Sequence, residues 1–196
     1  MPEIIGRSPV SQKMREFIQK VAPYDEPVLI LGETGVGKEV MARQIHELSP
    51  RGNFPFIPVD CANIPDTLAE SELFGHKKGA FTDAREERIG LIEACHGGTV
   101  FLDEIAECPL SIQAKLLRAI EHRQIRRLGE STLRPVNVRF ILASNRDLKR
   151  EVKKGRFRQD LYFRISSLEF TIPPLRERRD DIPDFITWFL SQMSKK

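Results

Sequence analysis

The sequence is short of cysteine and of long apolar runs, and each shortage removes a class of protein. Its three cysteines, Cys61, Cys95 and Cys108, are odd in number and show no Cys-x2-Cys spacing. That argues against both a disulfide framework and a zinc site, and makes the reducing cytoplasm the expected location. No apolar stretch approaches the ~20 residues that a membrane-spanning helix requires, so no membrane association is expected. The N-terminus, with Glu3 and Gly6 among its first residues, lacks a signal-peptide pattern. Excess charge of one sign is also scarce. A net charge of +3 is too small to argue for nucleic acid by itself, although arginine is enriched in the C-terminal third. What remains, 40% hydrophobic and 30% charged residues over 196 positions, suits one globular domain with a sizeable core.

The densest signal is Val28-Leu29-Ile30-Leu31 running into Gly32-Glu33-Thr34-Gly35-Val36-Gly37-Lys38-Glu39. Four uninterrupted apolar residues read as a strand buried on both faces, and Val40, Met41, Ile45 and Leu48 follow the loop at helical spacing. The order is strand, glycine-rich loop, helix. Glycines let backbone N–H groups curl around an anion, the helix adds the positive end of its dipole, and Lys38 offers a mobile charge to the outer phosphates. A bound nucleoside triphosphate is the first hypothesis, and a glycine-rich turn without a ligand is the alternative. Glu39 stands where a phosphate loop normally places a Ser or Thr hydroxyl for Mg²⁺.

Along the chain, Ser8 and Pro9 supply a helix start for a face of Val10, Met14, Phe17, Ile18 and Val21. After a polar break at 49–53, Phe56-Ile57-Pro58-Val59 reads as a strand whose proline points to a sheet edge. Helical spacing returns over 66–74 and breaks at Gly75, and an apolar Gly79-Ala80-Phe81 sits inside the polar segment 75–88. Residues 89–95 read as helix, 99–102 as a buried strand, and Ser111 as the cap of a helix carrying Ile112, Leu116, Leu117 and Ile120. A charged hairpin is predicted over 124–136 around Gly129. Residues 138–143 and 168–172 are the remaining strands, helices are expected near 147–154 and 157–164, and an amphipathic stretch carries Ile182, Phe185, Ile186, Phe189 and Leu190. Strands separated by helices predict a three-layer α/β fold with a mainly parallel, five-stranded sheet. Ligands of such sheets sit beyond the carboxyl ends of the strands, where the glycine-rich loop, Asp103-Glu104 and Asn145 all fall.

Hydrolysis of ATP needs a phosphate cradle, a carboxylate for metal, a group that positions water, and positive charge for the transition state. Asp103, ending an apolar strand, is placed to hold Mg²⁺ directly or through its waters. Glu104 beside it can orient or deprotonate the attacking water. Asn145 is a candidate sensor between water and γ-phosphate, with an ordinary turn-forming Asn as the alternative. Arg158 and Arg164 lie six apart; they read as two reaching arginines or as a solvated basic face.

Five further stretches bear on identity: Leu73-Phe74-Gly75-His76, Gly79-Ala80-Phe81-Thr82-Asp83-Ala84, Gly97-Gly98-Thr99-Val100-Phe101-Leu102-Asp103-Glu104, Phe157-Arg158-Gln159-Asp160-Leu161-Tyr162-Phe163-Arg164, and Pro173-Pro174-Leu175-Arg176-Glu177-Arg178. Together they resemble the AAA+ domain of bacterial sigma-54-dependent transcriptional activators, the NtrC family, over essentially the whole chain. The resemblance implies a P-loop ATPase that assembles as a ring, usually a hexamer, and remodels the closed promoter complex of sigma-54 RNA polymerase. It makes Gly32, Glu33, Thr34, Gly35, Val36, Gly37, Lys38 and Glu39 the Walker A segment, with Glu39 a normal family residue. Asp103 and Glu104 become the Walker B pair, Asn145 matches sensor I, and Arg158 with Arg164 matches arginines that enter a neighbour's site. Gly79, Ala80, Phe81, Thr82, Asp83 and Ala84 match the loop that touches sigma-54, and 124–136 resembles a second pore loop.

Two residues depart from the family pattern. Asp83 replaces a glycine, adding a Cβ and a negative charge where the loop must bend. Asp60 stands where the family usually has an Asn that restrains the Walker B glutamate, and a carboxylate facing Glu104 would repel it unless one is protonated or a cation intervenes. The resemblance also implies a division into residues 1–178, the nucleotide-binding subdomain, and 179–196, the start of a helical lid that is largely absent. DNA contact is then expected only through a domain outside this chain. Two rivals stand beside this reading: a DNA-handling P-loop motor, supported by the arginine-rich end, and a nucleotide-controlled interaction module that scarcely hydrolyses.

Overall fold

The structure, a computed structural model, describes residues 4–82 and 84–194. The strands are β1 (Val28–Leu31), β2 (Phe56–Asp60), β3 (Gly75–His76), β4 (Arg88–Ile89), β5 (Thr99–Asp103), β6 (Gln124–Ile125), β7 (Arg134–Pro135), β8 (Arg139–Ser144) and β9 (Glu169–Thr171). The helices are α1 (Pro9–Val21), α2 (Lys38–Glu47), α3 (Asp66–Phe74), α4 (Leu91–Ala94), α5 (Leu110–His122), α6 (Leu148–Lys153), α7 (Gln159–Ile165) and α8 (Ile182–Met193).

Five strands form the central sheet in the order β2-β5-β8-β1-β9, and every neighbouring pair is parallel. The three-layer α/β architecture expected from the sequence is thus present. Alternation along each strand builds two cores, because successive side chains leave opposite faces. Val28 and Ile30, Phe101, and Ile141 and Ala143 pack with Met14, Ile18, Met41 and Ile45 of α1 and α2. Leu29, Val100, Leu102, Phe140 and Leu142 pack with Leu73, Ile112, Leu116, Leu148, Leu161 and Ile165 on the other face. Pro58 lies in β2, a sheet edge, where the missing N–H costs no ladder bond.

Several local expectations shift. Residues 89–95 do not form one helix: Arg88 and Ile89 pair with Gly75 and His76, and only Leu91–Ala94 is helical. The cause is Gly90, where a Cβ would stand 2.3 Å from the carbonyl carbon of Phe74, so the chain is pressed extended against the end of α3. Ser111 does not cap α5, which begins at Leu110 behind Pro109. Leu48 and Leu68 are exposed rather than in the core. The strand expected over 138–143 runs Arg139–Ser144 and holds a buried cation: Arg139 donates to the carbonyls of Val21 (2.8 Å) and Ala22 (2.9 Å) at the end of α1. There the guanidinium meets the negative end of the helix dipole, although burial still pushes its pKa down to about 10. The hairpin over 124–136 forms as β6 and β7. No helix among the described residues is long and apolar enough to cross a membrane.

Candidate functional site

Register sets the site. Leu31 lies opposite Ser144, and β5 pairs with β8 on its far side, so the chain leaves β1, β5 and β8 at one edge of the sheet. The glycine-rich loop, Glu104 and Asn145 are the residues that follow. Gly35 and Gly37 have φ of 82° and 104°, conformations that disfavour other residues, and nothing lies within 4 Å of where their Cβ atoms would stand. The loop is thus open on that side, as a cradle for an anion requires. Lys38, the first residue of α2, is buried and turns back into the loop, donating to the carbonyls of Gly32 (3.2 Å) and Glu33 (3.5 Å).

Lys38 Nζ also donates to Glu104 Oε1 at 3.1 Å. Glu104 Oε2 accepts the backbone N–H of Asn145 at 3.0 Å, and Asn145 Nδ2 reaches Thr34 Oγ1 at 3.3 Å. A continuous chain of polar contacts therefore joins the phosphate loop to the ends of β5 and β8. Glu104 is held in a left-handed conformation, φ 51° and ψ 48°, which is rare for a residue with a Cβ and clusters at functional sites. Asp103 fastens that turn by accepting the Glu104 N–H at 2.9 Å. Burial raises the Asp103 carboxyl above the usual range, against the opposing pull of Lys38. Its half-buried carboxylate beside an open phosphate cradle fits a hard divalent cation. Glu39 does not: it points outward and pairs with Arg43 at 2.9 Å.

The carboxylate of Asp60 does not meet Glu104. Asp60 sits opposite Asp103 in the sheet, yet its side chain accepts from the Ala62 N–H (3.0 Å) and Asn63 Nδ2 (2.7 Å). Those bonds satisfy the Ala62 amide and the Asn63 side chain in the short helical turn after β2, and the like-charge repulsion from Asp60 falls on its sheet neighbour Asp103. Arg158 and Arg164 bond elsewhere than the loop of their own chain. Arg158 forks onto Asp160 at 3.0 and 2.7 Å, and Arg164 lies 3.5 Å from Glu26. Phe163 between them is 63% exposed.

The loop bearing Gly79, Ala80, Phe81, Thr82 and Ala84 is a compact turn, with Gly79 N bonded to Ala84 O at 2.8 Å and Ala84 N to Phe81 O at 3.0 Å. Asp83 lies outside the described residues. Phe81 is 38% exposed and leans on His76, ring centroids 5.0 Å apart. The 124–136 hairpin buttresses this loop: Lys77 N donates to Leu128 O at 3.0 Å, Leu128 N to Gly75 O at 2.9 Å, and Glu130 pairs with Lys77 at 3.2 Å.

Three residues escaped sequence reading. Gln113, fully buried on α5, donates to Cys108 O (2.7 Å) and Arg156 O (3.1 Å) and accepts the Arg158 N–H (2.8 Å). It ties the turn beyond Glu104 to the arginine-bearing segment. Arg176 forks onto Glu33 at 2.8 and 2.5 Å, and Arg178 donates to Val36 O at 2.9 Å. In sequence the two arginines stand within the family-like stretch 173–178 with no role of their own. Beside them, a cavity of about 510 Å³ runs from the phosphate loop past Ile4, Val40 and Leu175 to Phe185 and Trp188.

The profile of the sigma-54 interaction domain family matches residues 4–171. The chain is 52% identical over 180 residues to the response regulator protein PilR of Pseudomonas aeruginosa, covering 92% of this chain and 40% of that protein. Among solved structures it superposes on NtrX from Brucella abortus in complex with ATP, with a TM-score of 0.91 and 36% identity, over 98% of this chain and 41% of that one. The P-loop NTPase domain of a sigma-54 transport activator from E. coli shares the fold, at TM-score 0.60 and 19% identity over 87% of this chain and 99% of that one. Its mainly parallel sheet, its phosphate loop and its sequence agree, and the chain belongs to the sigma-54 interaction domain family.

Proposed function

We propose that this chain binds Mg-ATP, hydrolyses it at a site shared with a neighbouring copy, and uses the cycle to remodel sigma-54 RNA polymerase. The observation that carries the reading is the contact chain Lys38–Glu104–Asn145–Thr34, which brings a phosphate-binding cation, an acid and a polar sensor to one open loop. Lys38 Nζ donates to Glu104 and to two loop carbonyls. An incoming polyphosphate offers Lys38 a better partner, and Glu104 is released to orient water. Asn145, whose N–H held the other carboxylate oxygen, then reports the change along β8. Asp103 would hold the magnesium, which when bound supplies charge neutralisation at the phosphoryl group.

Arg158 and Arg164 serve the adjoining subunit's loop in this reading, supported by their partial exposure and by the lack of any described bond to the loop of their own chain. Phe81 and Thr82 present the surface for sigma-54, supported by an exposed aromatic on a turn braced from behind by the 124–136 hairpin. Residues 1–178 act as the nucleotide-binding body and 179–196 open the lid. The test is ATP turnover against protein concentration, paired with nucleotide-dependent capture of purified sigma-54. A rate per subunit that rises with concentration, and capture lost in Phe81→Ala with turnover retained, are expected. A flat rate per subunit removes the shared site, and salt-sensitive DNA binding without sigma-54 capture favours the DNA-handling rival.

A further inference from the structure

Arg178 is 6% exposed and, among the described residues, pairs with no carboxylate. Its Nη2 donates to Val36 O at 2.9 Å, its Nη1 lies 3.9 Å from Met14 Sδ, and its Nε is buried without a partner. The guanidinium lies 5.8 Å from the ring centroid of Phe185 on α8. Burial pushes its pKa below the usual guanidinium value, and the charge of Asp181 opposes that shift without cancelling it. The nearest acid, Asp181, is engaged with the Ser8 N–H (2.7 Å), Ser8 Oγ (2.8 Å) and Ser11 Oγ (2.7 Å). A buried cation that is only partly compensated is costly, and the cost falls if a further anion arrives nearby.

Here the anion site is the loop that Arg178 already touches. Asp181 pins the start of α8 to α1, and a Cβ on Gly6 would stand 2.2 Å from its Oδ1, so that joint is tight. Beyond it no residue of α8 is buried. Its first turn is held by Asp181 and by the Arg7–Asp184 pair at 3.1 Å, and Phe185 and Trp188 face the cavity beside Arg178.

We propose that Arg178 is a positioning residue that couples the phosphate loop to α8, so that phosphate in the loop is sensed at Trp188. The idea rests on the nucleotide-binding reading above. Polyphosphate binds preferentially when the guanidinium is drawn toward the loop, and that differential interaction shifts the position of α8 through the Phe185 ring. The boundary between body and lid, at residues 178 and 179, is then a transmission point rather than a passive hinge.

Trp188 is the only tryptophan of the 196-residue chain, so its emission reads α8 directly. The probe is magnesium tripolyphosphate, which fills the loop but has no base to touch the tryptophan. Calorimetry measures its binding while emission reports the helix. In the wild type, binding should shift Trp188 emission. Arg178→Met should bind about tenfold more weakly, through loss of one charged hydrogen bond to the loop, and show no shift at saturation. Arg178→Lys should recover part of the shift. If Arg178→Met fails to fold, Phe185→Leu carries the test: affinity should stay at the wild-type level and the shift should vanish.

A full shift in either variant overturns the coupling. So does tripolyphosphate binding that leaves wild-type emission unchanged, or ATP binding without tripolyphosphate binding. If the wild type binds neither ATP nor tripolyphosphate, the nucleotide reading itself fails and the coupling falls with it.

Discussion

Lys38 and Glu104 hold each other across the phosphate loop, Nζ to Oε1 at 3.1 Å, with 4% and 15% of their side chains exposed. A pair so shielded is not a surface ornament, because removing one partner strands the other charge. Glu104→Gln keeps the volume and leaves Lys38 its two loop carbonyls. Nucleotide binding should therefore survive within a few-fold, while hydrolysis falls by ~10²–10⁴, the range for losing a group that activates water. Calorimetry and phosphate release measured on one preparation separate the two quantities. Unchanged turnover would mean that Glu104 does no chemistry, and would favour the binding-module rival.

If Arg158 and Arg164 complete a neighbour's site, two inactive chains should rescue one another. Lys38→Ala keeps its arginines and loses its loop; Arg158→Ala keeps its loop and loses an arginine. Each alone should turn over at least ~10³-fold more slowly than wild type, the scale of a missing arginine finger. Mixed in equal amounts, they should recover a measurable fraction of wild-type turnover, since some interfaces then pair an intact loop with an intact arginine. A mixture no faster than the average of its components would place the arginines in their own subunit's chemistry or in none.

The readable and unreadable parts of this chain divide along physical lines. The strands β1, β5 and β8 were legible because burial on both faces leaves an unbroken apolar run, and the phosphate loop because glycine spacing reports backbone conformation directly. Asp103, Glu104 and Asn145 followed from strand ends. The supporting residues were not legible. Arg139 looks like any strand-edge charge until Val21 and Ala22 bring it helix carbonyls from over a hundred residues away. Gln113 bears no mark on a helix face, and Arg178 cannot be told from Arg176 and Arg179 without knowing that one is buried. The partners of Asp60 were hidden for another reason: its carboxylate accepts from Ala62 N–H and Asn63 Nδ2 in the turn after β2, a local bond that residue type alone does not announce. Partners set by long-range packing leave no periodic trace.

Gln113 should matter twice. Replacing it with Leu removes one donor group and one acceptor, and strands Cys108 O, Arg156 O and the Arg158 N–H around a fully buried site. Each unsatisfied group costs ~1–3 kcal/mol, so the unfolding free energy should fall by about that amount or more. The start of α7 should also loosen, so turnover falls with little change in nucleotide affinity. Gln113→Glu still accepts from Arg158, but when ionised it buries a charge against the Cys108 and Arg156 carbonyls, so it should lose at least as much stability as the Leu variant near neutral pH. Urea titration and ATP turnover on the same variants decide the point; loss of stability with normal turnover would make Gln113 a packing residue only.

His46 predicts how the fold responds to acid. It is 3% exposed on α2, its Nδ1 is 2.9 Å from Thr99 Oγ1, and its ring meets Phe56 at a tilt, centroids 5.2 Å apart. Burial holds its pKa below the usual imidazole value of 6.5, against the opposing pull of the Phe54 backbone and of Glu47, with Arg139 and Arg43 adding to the lowering. The unfolded chain, whose His46 titrates near the ordinary value, therefore takes up a proton before the folded chain does. Stability from this group is complete above about pH 6.5 and is lost as pH falls toward the folded pKa, at no more than ~1.4 kcal/mol per pH unit. Urea unfolding at about pH 8 and about pH 5.5 should show the loss in the wild type and a smaller one in His46→Gln, which cannot gain the charge. Equal acid sensitivity in both would assign the effect to other groups and leave His46 neutral to the balance.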